Sequence, residues 1–189
     1  MLKYLLSFLI GCSACDSEHI KGFEDTSSNA SYPWATWEEC GFLLEKNACN
    51  FSLMDQNGEQ VELYQHHGKV IILDFSVMWC GPCNTAAPYA ETFKQEYGEE
   101  NFIWITILMQ DAAGNSVEQS DLMIWAKMHG LTDPILSAKK EDMHDTEGIT
   151  GYPLGGWPTM VVIDREMVLK YGIYGWSEAA MRSYIESLL

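Results

Sequence analysis

Two apolar runs of eight residues dominate the chain. Residues 70–77 read Val-Ile-Ile-Leu-Asp-Phe-Ser-Val and residues 102–109 read Phe-Ile-Trp-Ile-Thr-Ile-Leu-Met. Each is too short to cross a membrane. Neither alternates as a half-exposed strand would, so both read as strands buried on two faces. Between them Ala86, Ala90, Phe93 and Tyr97 recur at helical spacing. Downstream, Leu122, Trp125, Ala126 and His129 share one helix face, with Ser116 and Gln119 as a capping box and Gly130 as the stop. Residues 134–137 predict a short strand, and residues 139–150 a charged loop. Residues 160–164 and 168–174 predict an antiparallel pair, although the turn at 164–167 contains no glycine. Ser177 caps a final helix whose stripe is Met181, Tyr184, Ile185, Leu188 and Leu189. Ahead of the first core strand, residues 50–63 predict a hairpin in which Asn57-Gly58 forms a type I′ turn. Strands alternating with helices place the chain in the α/β class.

The chemistry concentrates where the first core strand meets its helix, at Trp79-Cys80-Gly81-Pro82-Cys83. Unpaired N–H groups at a helix start favour an anion. A thiolate at Cys80 is stabilised there, and its reactivity near neutral pH rises. Two intervening residues let Cys83 attack a disulfide formed at Cys80. Pro82 suits the first helical turn, where no N–H is required. No second cysteine pair follows at zinc-ribbon spacing.

This stretch resembles the thioredoxin superfamily, and other residues extend the likeness. Asp74 stands six residues before Cys80, where thioredoxins carry a buried acid, and Pro88 five residues after Cys83, where their helix is kinked. Gly156-Trp157-Pro158-Thr159 precedes an apolar strand and is similar to the cis-proline loop of that family. The N-terminal hairpin is similar to the TlpA/ResA-like branch of exported, often membrane-tethered proteins. The resemblance covers about residues 40–189. It implies a thioredoxin-like fold, a central mixed β-sheet flanked by helices, with an N-terminal β-hairpin extension.

The resemblance also implies an activity, thiol–disulfide exchange. Cys80 is the expected nucleophile and Cys83 the resolving thiol. Asp74, in an apolar strand, should have a raised pKa and take the Cys83 proton directly or through water; the competing reading of Asp74 is an edge residue facing solvent. Trp79, Gly81, Pro82, Trp157, Pro158 and Thr159 are the expected substrate-binding positions. No cofactor is expected beyond the redox-active cysteine pair. The expected partners are protein disulfides and a membrane thiol reductase as electron donor. A peroxiredoxin would carry Thr three positions before its cysteine, and a Sco-type copper chaperone would use Cys-x-x-x-Cys; neither pattern is present. A non-catalytic binding module and a disulfide-forming oxidant stay open beside the reductase reading.

Charge and the remaining cysteines refine the setting. The net charge is −16, from 11 basic and 27 acidic residues, which argues against nucleic acid as a partner. Residues 1–11 carry one Lys and a short apolar run, read as an export signal; Leu9-Ile10-Gly11-Cys12 resembles a lipobox, making Cys12 the expected lipidation site. Residues 12–38 read as a tether and 39–189 as the folded domain, with Tyr32, Trp34 and Trp37 marking where packing begins. Cys12-Ser-Ala-Cys15 reads as tail chemistry. In an exported protein Cys40 and Cys49 read as a structural disulfide; two reduced thiols are the alternative. His66 and His67 are adjacent and diverge, so no metal site is expected there. The expected location is the bacterial periplasm or cell envelope, as a membrane-tethered monomer.

Overall fold

The computed structural model describes residues 32–189. The expectations for the export signal, Cys12, Cys15 and the tether up to residue 31 lie outside the described residues. Among the described residues seven strands and five α-helices follow one another in the order β1 (Ser52–Met54), β2 (Gln60–Glu62), β3 (Val70–Ser76), α1 (Gly81–Ala86), α2 (Tyr89–Tyr97), β4 (Phe102–Leu108), α3 (Gln119–His129), β5 (Ile135–Ser137), α4 (Lys140–Met143), β6 (Thr159–Ile163), β7 (Leu169–Tyr174) and α5 (Glu178–Leu188).

The core is a five-stranded mixed sheet in the order β5-β4-β3-β6-β7. β3 runs parallel to β4 and antiparallel to β6. Every residue of β3 and β4 is buried, which is why both lack polar alternation. β3 lies centrally, so its carboxyl end, from which the cysteine motif emerges, opens at the middle of the sheet. Pro88 separates α1 from α2, as a residue without an N–H donor should. Phe93 on α2 packs against Phe102 and Trp104 of β4 and against Trp176, filling the space over one face of the sheet. Tyr152 fills the other face, against Phe42 and Phe75.

Both sheet edges are met by the N-terminal segment. On the β5 side, Ile135 N donates to Gln56 Oε1 at 2.8 Å and Gln56 Nε2 to Asp133 O at 3.1 Å. Asp55 forms a bridge with Leu136. On the β7 side, the loop closed by Cys40 and Cys49 docks on the strand start. Leu169 N donates to Lys46 O at 2.9 Å, Glu45 N to Leu169 O at 2.7 Å and Ala48 N to Met167 O at 2.8 Å. Unpaired edge groups are thus engaged rather than left as a template for another chain. Ahead of this strap, Trp34 stacks on His67 at 3.8 Å and packs against Tyr32, Trp37 and Tyr64, so packing begins at the aromatic residues near position 32.

Local details refine the sequence expectations in five places. At Asn57-Gly58 only the glycine takes positive φ, 79°. Asp55 Oδ1 accepts from both Asn57 N and Glu59 N at 2.8 Å, so a carboxylate organises the turn and the type I′ form is not adopted. The second hairpin arm ends at Glu62, and residues 63–66 form one tight 3₁₀ turn. α3 starts later than the Ser116–Gln119 box predicts: Glu118 is its N-cap, and Asp121 Oδ2 accepts from Glu118 N at 2.8 Å. Within the predicted loop 139–150 sits α4, a single turn. The glycine-free turn at 164–167 closes because Met167 itself takes φ 64°, with its side chain fully buried and its carbonyl held by Ala48.

Candidate active site

The chain enters the site from β3. Met109 N donates to Ser76 O at 2.9 Å and Met78 N to Gln110 O at 3.0 Å, so β3 and β4 stay paired up to the motif. Cys80 then adopts an extended conformation as N-cap of α1, and Cys83 N donates to its Sγ at 3.1 Å. That N–H is one of the donors a helix start leaves without a backbone partner. It is spent on the Cys80 sulfur instead. Asn84 clamps the turn from below, its Nδ2 donating to Met78 O at 2.9 Å and Cys80 O at 2.8 Å.

Cys80 and Cys83 form a disulfide, with Cα atoms 5.3 Å apart. Cys83 is fully buried, whereas Cys80 keeps 5% of its surface. Attack from outside can therefore reach only one of the two sulfurs. Gly81 and Pro82 are exposed beside it, and a Cβ added at Gly81 would meet no atom within 4 Å. Trp79 is 53% exposed, with its indole held by Gln110 Oε1 at 3.1 Å. It is therefore a fixed apolar platform on the surface, not a core side chain.

The second wall comes from β6. Thr159 is in register with Phe75, and because β6 runs antiparallel to β3 its start lies at the end of the sheet where the cysteines emerge. The Trp157–Pro158 bond is cis. The loop is held by Gly175 N donating to Pro158 O and Thr159 Oγ1 donating to Gly156 O, both at 2.7 Å. Trp157 is half-buried, with Lys140 Nζ 5.8 Å from its ring.

Asp74 does not face solvent; it is fully buried. Ser76 Oγ donates to its Oδ1 at 2.6 Å and Trp104 Nε1 to its Oδ2 at 3.3 Å. Burial pushes its pKa up to about 6, with the two hydrogen bonds pulling the other way. That value suits a group exchanging protons near neutrality.

Four residues of this site escaped the sequence reading. Ser76 was visible in principle, because residues i and i+2 of a strand share a face. Trp104, Asn84 and Gln110 left no such signal: Trp104 and Gln110 act across the β3–β4 register, and Asn84 acts through backbone. Cys40 and Cys49 form a disulfide remote from the motif in sequence, with Cα atoms 4.8 Å apart. His144 Nδ1 accepts from Leu154 N at 3.2 Å, ordering the approach to the proline loop. Among the described residues no group of three or more His, Cys, Asp or Glu could hold a metal ion, and no helix is long and apolar enough to cross a membrane.

A thioredoxin-like sheet with a Cys-x-x-Cys pair at the start of its first helix and a cis-proline beside it defines the class. Residues 44–172 match the AhpC/TSA family, and the chain belongs to that family. Within it, Val77 occupies the place where a peroxidatic threonine would stand relative to Cys80. The chain is 26% identical over 133 residues to the thioredoxin-like protein YneN of Bacillus subtilis, covering 70% of this chain and 72% of that one. It is 28% identical over 125 residues to the thiol-disulfide oxidoreductase ResA of Bacillus thuringiensis, covering 65% of each. Among solved structures it is similar to the exposed lipoprotein thioredoxin Etrx1 of Streptococcus pneumoniae, with TM-score 0.58 and 26% identity, covering 74% of this chain and 100% of that one.

Proposed function

We propose that this chain is a thiol–disulfide oxidoreductase that reduces disulfides of exported proteins through Cys80 and Cys83. The asymmetry of the two sulfurs carries the reading: Cys80 borders the surface and Cys83 is sealed beneath it. In the reduced protein the Cys80 thiolate attacks a substrate disulfide and forms a mixed disulfide. Cys83 loses its proton toward Asp74 and attacks Cys80 Sγ. The substrate leaves as a thiol, and the Cys80–Cys83 disulfide remains. The exposed Trp79 and the backbone of residues 157–159 line the approach and are suited to an extended polypeptide. Gly81 and Pro82 leave that approach open. The cysteine pair is the only redox group the cycle requires.

Turnover outside the cytosol requires electrons delivered across the membrane, so a membrane thiol reductase is the electron donor in this reading. One similar protein supports location in the cell envelope, being named an exposed lipoprotein thioredoxin. Cys12 would supply the lipid anchor, and the protein would act as a tethered monomer. Insulin reduction by dithiothreitol, followed by turbidity, tests the chemistry. Cys80→Ser should abolish the acceleration, whereas Cys83→Ser should accumulate mixed disulfides visible by intact mass. Acceleration that survives Cys80→Ser removes the assignment. Direction is tested by the reduction potential of the pair. A value near the roughly −270 mV of thioredoxin supports a reductase, and one near roughly −120 mV makes the protein an oxidant.

A further inference from the structure

The carboxylate beneath the cysteines is held by two donors of different kinds, and the difference is informative. An indole nitrogen can only donate, whereas a hydroxyl can donate or accept. Oδ2 of Asp74 faces Trp104 Nε1, so it must accept in every protonation state. A proton placed on Oδ2 would point at another N–H. The acid form therefore carries its proton on Oδ1, against Ser76 Oγ, which rotates to accept it. Ser76 lies two residues beyond Asp74 on the same strand face, one pleat nearer the end where the cysteines follow.

Among the described residues no charged side chain contacts this carboxylate. In register beside it stand Thr106 on β4 and Met160 on β6. Over Trp104 pack Phe93 of α2, at 6.0 Å, and Trp176, at 5.9 Å. The charged groups that pack around Phe93 and Trp104 are engaged elsewhere. Lys94 pairs with Asp133 at 2.8 Å, Asp133 accepts from Trp104 N, and Arg182 lies over Phe93 bonded to Glu96 and Glu178. Among the described residues Asp74 thus has only Ser76 and Trp104 as side-chain hydrogen-bond partners, and the cysteine pair follows the end of its strand.

Resting on the exchange chemistry proposed above, we infer that Trp104 confines the Asp74 proton to Oδ1 and that the Ser76 hydroxyl relays it between Asp74 and Cys83. In the resolving step the Cys83 S–H proton passes to Ser76 Oγ while the Ser76 hydroxyl proton passes to Asp74 Oδ1. The electron pair left on Cys83 sulfur forms the bond to Cys80. The pair of the broken mixed disulfide departs with the substrate thiolate. Asp74 later returns its proton to solvent or to the departing thiolate, so nothing but the two disulfides changes oxidation state. Trp104 is a positioning residue here and Ser76 a relay.

The test is the oxidation of the full-length reduced protein by saturating hydroxyethyl disulfide, where the rate reports resolution, measured across pH. Ser76→Ala should slow this step by about a hundredfold, the lower end of the range for positioned proton transfer. The Cys80 pKa, read from iodoacetamide alkylation, should not move. Ser76→Thr, which keeps a hydroxyl, should restore most of the rate. Trp104→Phe should shift the controlling midpoint upward by about one pH unit, the effect of losing one hydrogen bond to a charged group, and recover the wild-type rate above it. In the wild type, the Trp104 indole proton resonance should titrate with Asp74 yet stay hydrogen-bonded on both sides of the midpoint. A Ser76→Ala profile matching wild type, or loss of the indole bond on protonation, overturns the relay; the resonance test needs no variant to fold. If Asp74→Asn slows resolution and Ser76→Ala does not, the relay falls while the exchange chemistry stands. If the wild type fails to exchange at all, the function itself falls.

Discussion

At the scale of single residues, Asp74 sets a conflict between stability and chemistry. Its folded pKa of about 6 lies above the ordinary 3.8 because the charged form is desolvated. The folded state thus holds this proton more tightly than the unfolded chain does. Its contribution is fully present below pH 3.8 and is lost as pH rises through about 6. Asp74→Asn in the oxidised protein should therefore stabilise by on the order of 2–3 kcal/mol at pH 8 and make little difference below pH 4. Urea midpoints across that range check this, and a uniform shift at all pH values would contradict it. His66 works in the opposite sense. Burial lowers its pKa to about 4, and its Nε2 has no hydrogen-bond partner. Its contribution is present above pH 6.5 and lost as pH falls toward 4. The two slopes offset each other in the wild type, so the Asn variant should show a plain rise in stability between pH 4 and 6.5 that the wild type masks.

Among the elements, the loop closed by Cys40 and Cys49 does the most for its size. It holds the start of β7 and the strained Met167 turn through backbone hydrogen bonds to residues 167 and 169. A closed loop of this length is worth about 2–3 kcal/mol in the chain-entropy account. Replacing both cysteines with Ala should lower stability by about that amount. The Cys80–Cys83 reduction potential should hardly move, since the loop makes none of the motif's hydrogen bonds. Denaturant titration and a redox titration of the same variant check the two halves of this statement. The elements also show where sequence patterns inform and where they stop. The apolar runs gave β3 and β4 almost to the residue, since a strand buried on both faces leaves an unmistakable signature. The placement of Cys80 and Cys83 at a helix start, of Asp74 inside a buried strand and of Pro158 in a cis bond was legible because each depends on spacing along one strand, one turn or one peptide bond. Ends of elements were less legible. Glu118 took the cap from Ser116, and Asp55 took over the Asn57-Gly58 turn, because polar side chains near an end compete for the same few N–H groups. Trp104 was beyond reach, since its bond to Asp74 exists only after two strands have found their register.

At the scale of the whole molecule, residues 45–62 join the two edges of the sheet. One end of that segment bonds β7, and its middle bonds β5 through Gln56. The domain is therefore not a bare sheet and helices with an ornament at its start; the early segment closes the architecture. Deleting residues 32–62 should expose both edges and the face of Tyr64 and Tyr152. The expected outcome is concentration-dependent association by analytical ultracentrifugation, stronger than that of the intact chain measured alongside. A truncated chain that stays monomeric at high concentration would show that the edges are protected by something else.

That strap also has a history within each molecule, because a polypeptide is made from its amino end. Asn47 finds its partner at Val168 and Asp55 finds Leu136, so the first part of the domain to leave the ribosome is the last to be matched. Until residues 167–169 have been made, Cys40 and Cys49 travel without the strand start on which their loop docks. They stand only nine positions apart, and they can meet each other long before β7 exists. Closing that small ring early would carry a preshaped loop forward to wait for its strand. Leaving it open would expose two free thiols to the chain's own later pair, Cys80 and Cys83. The order in which these bonds close is therefore a question of timing during biogenesis as much as of the finished fold.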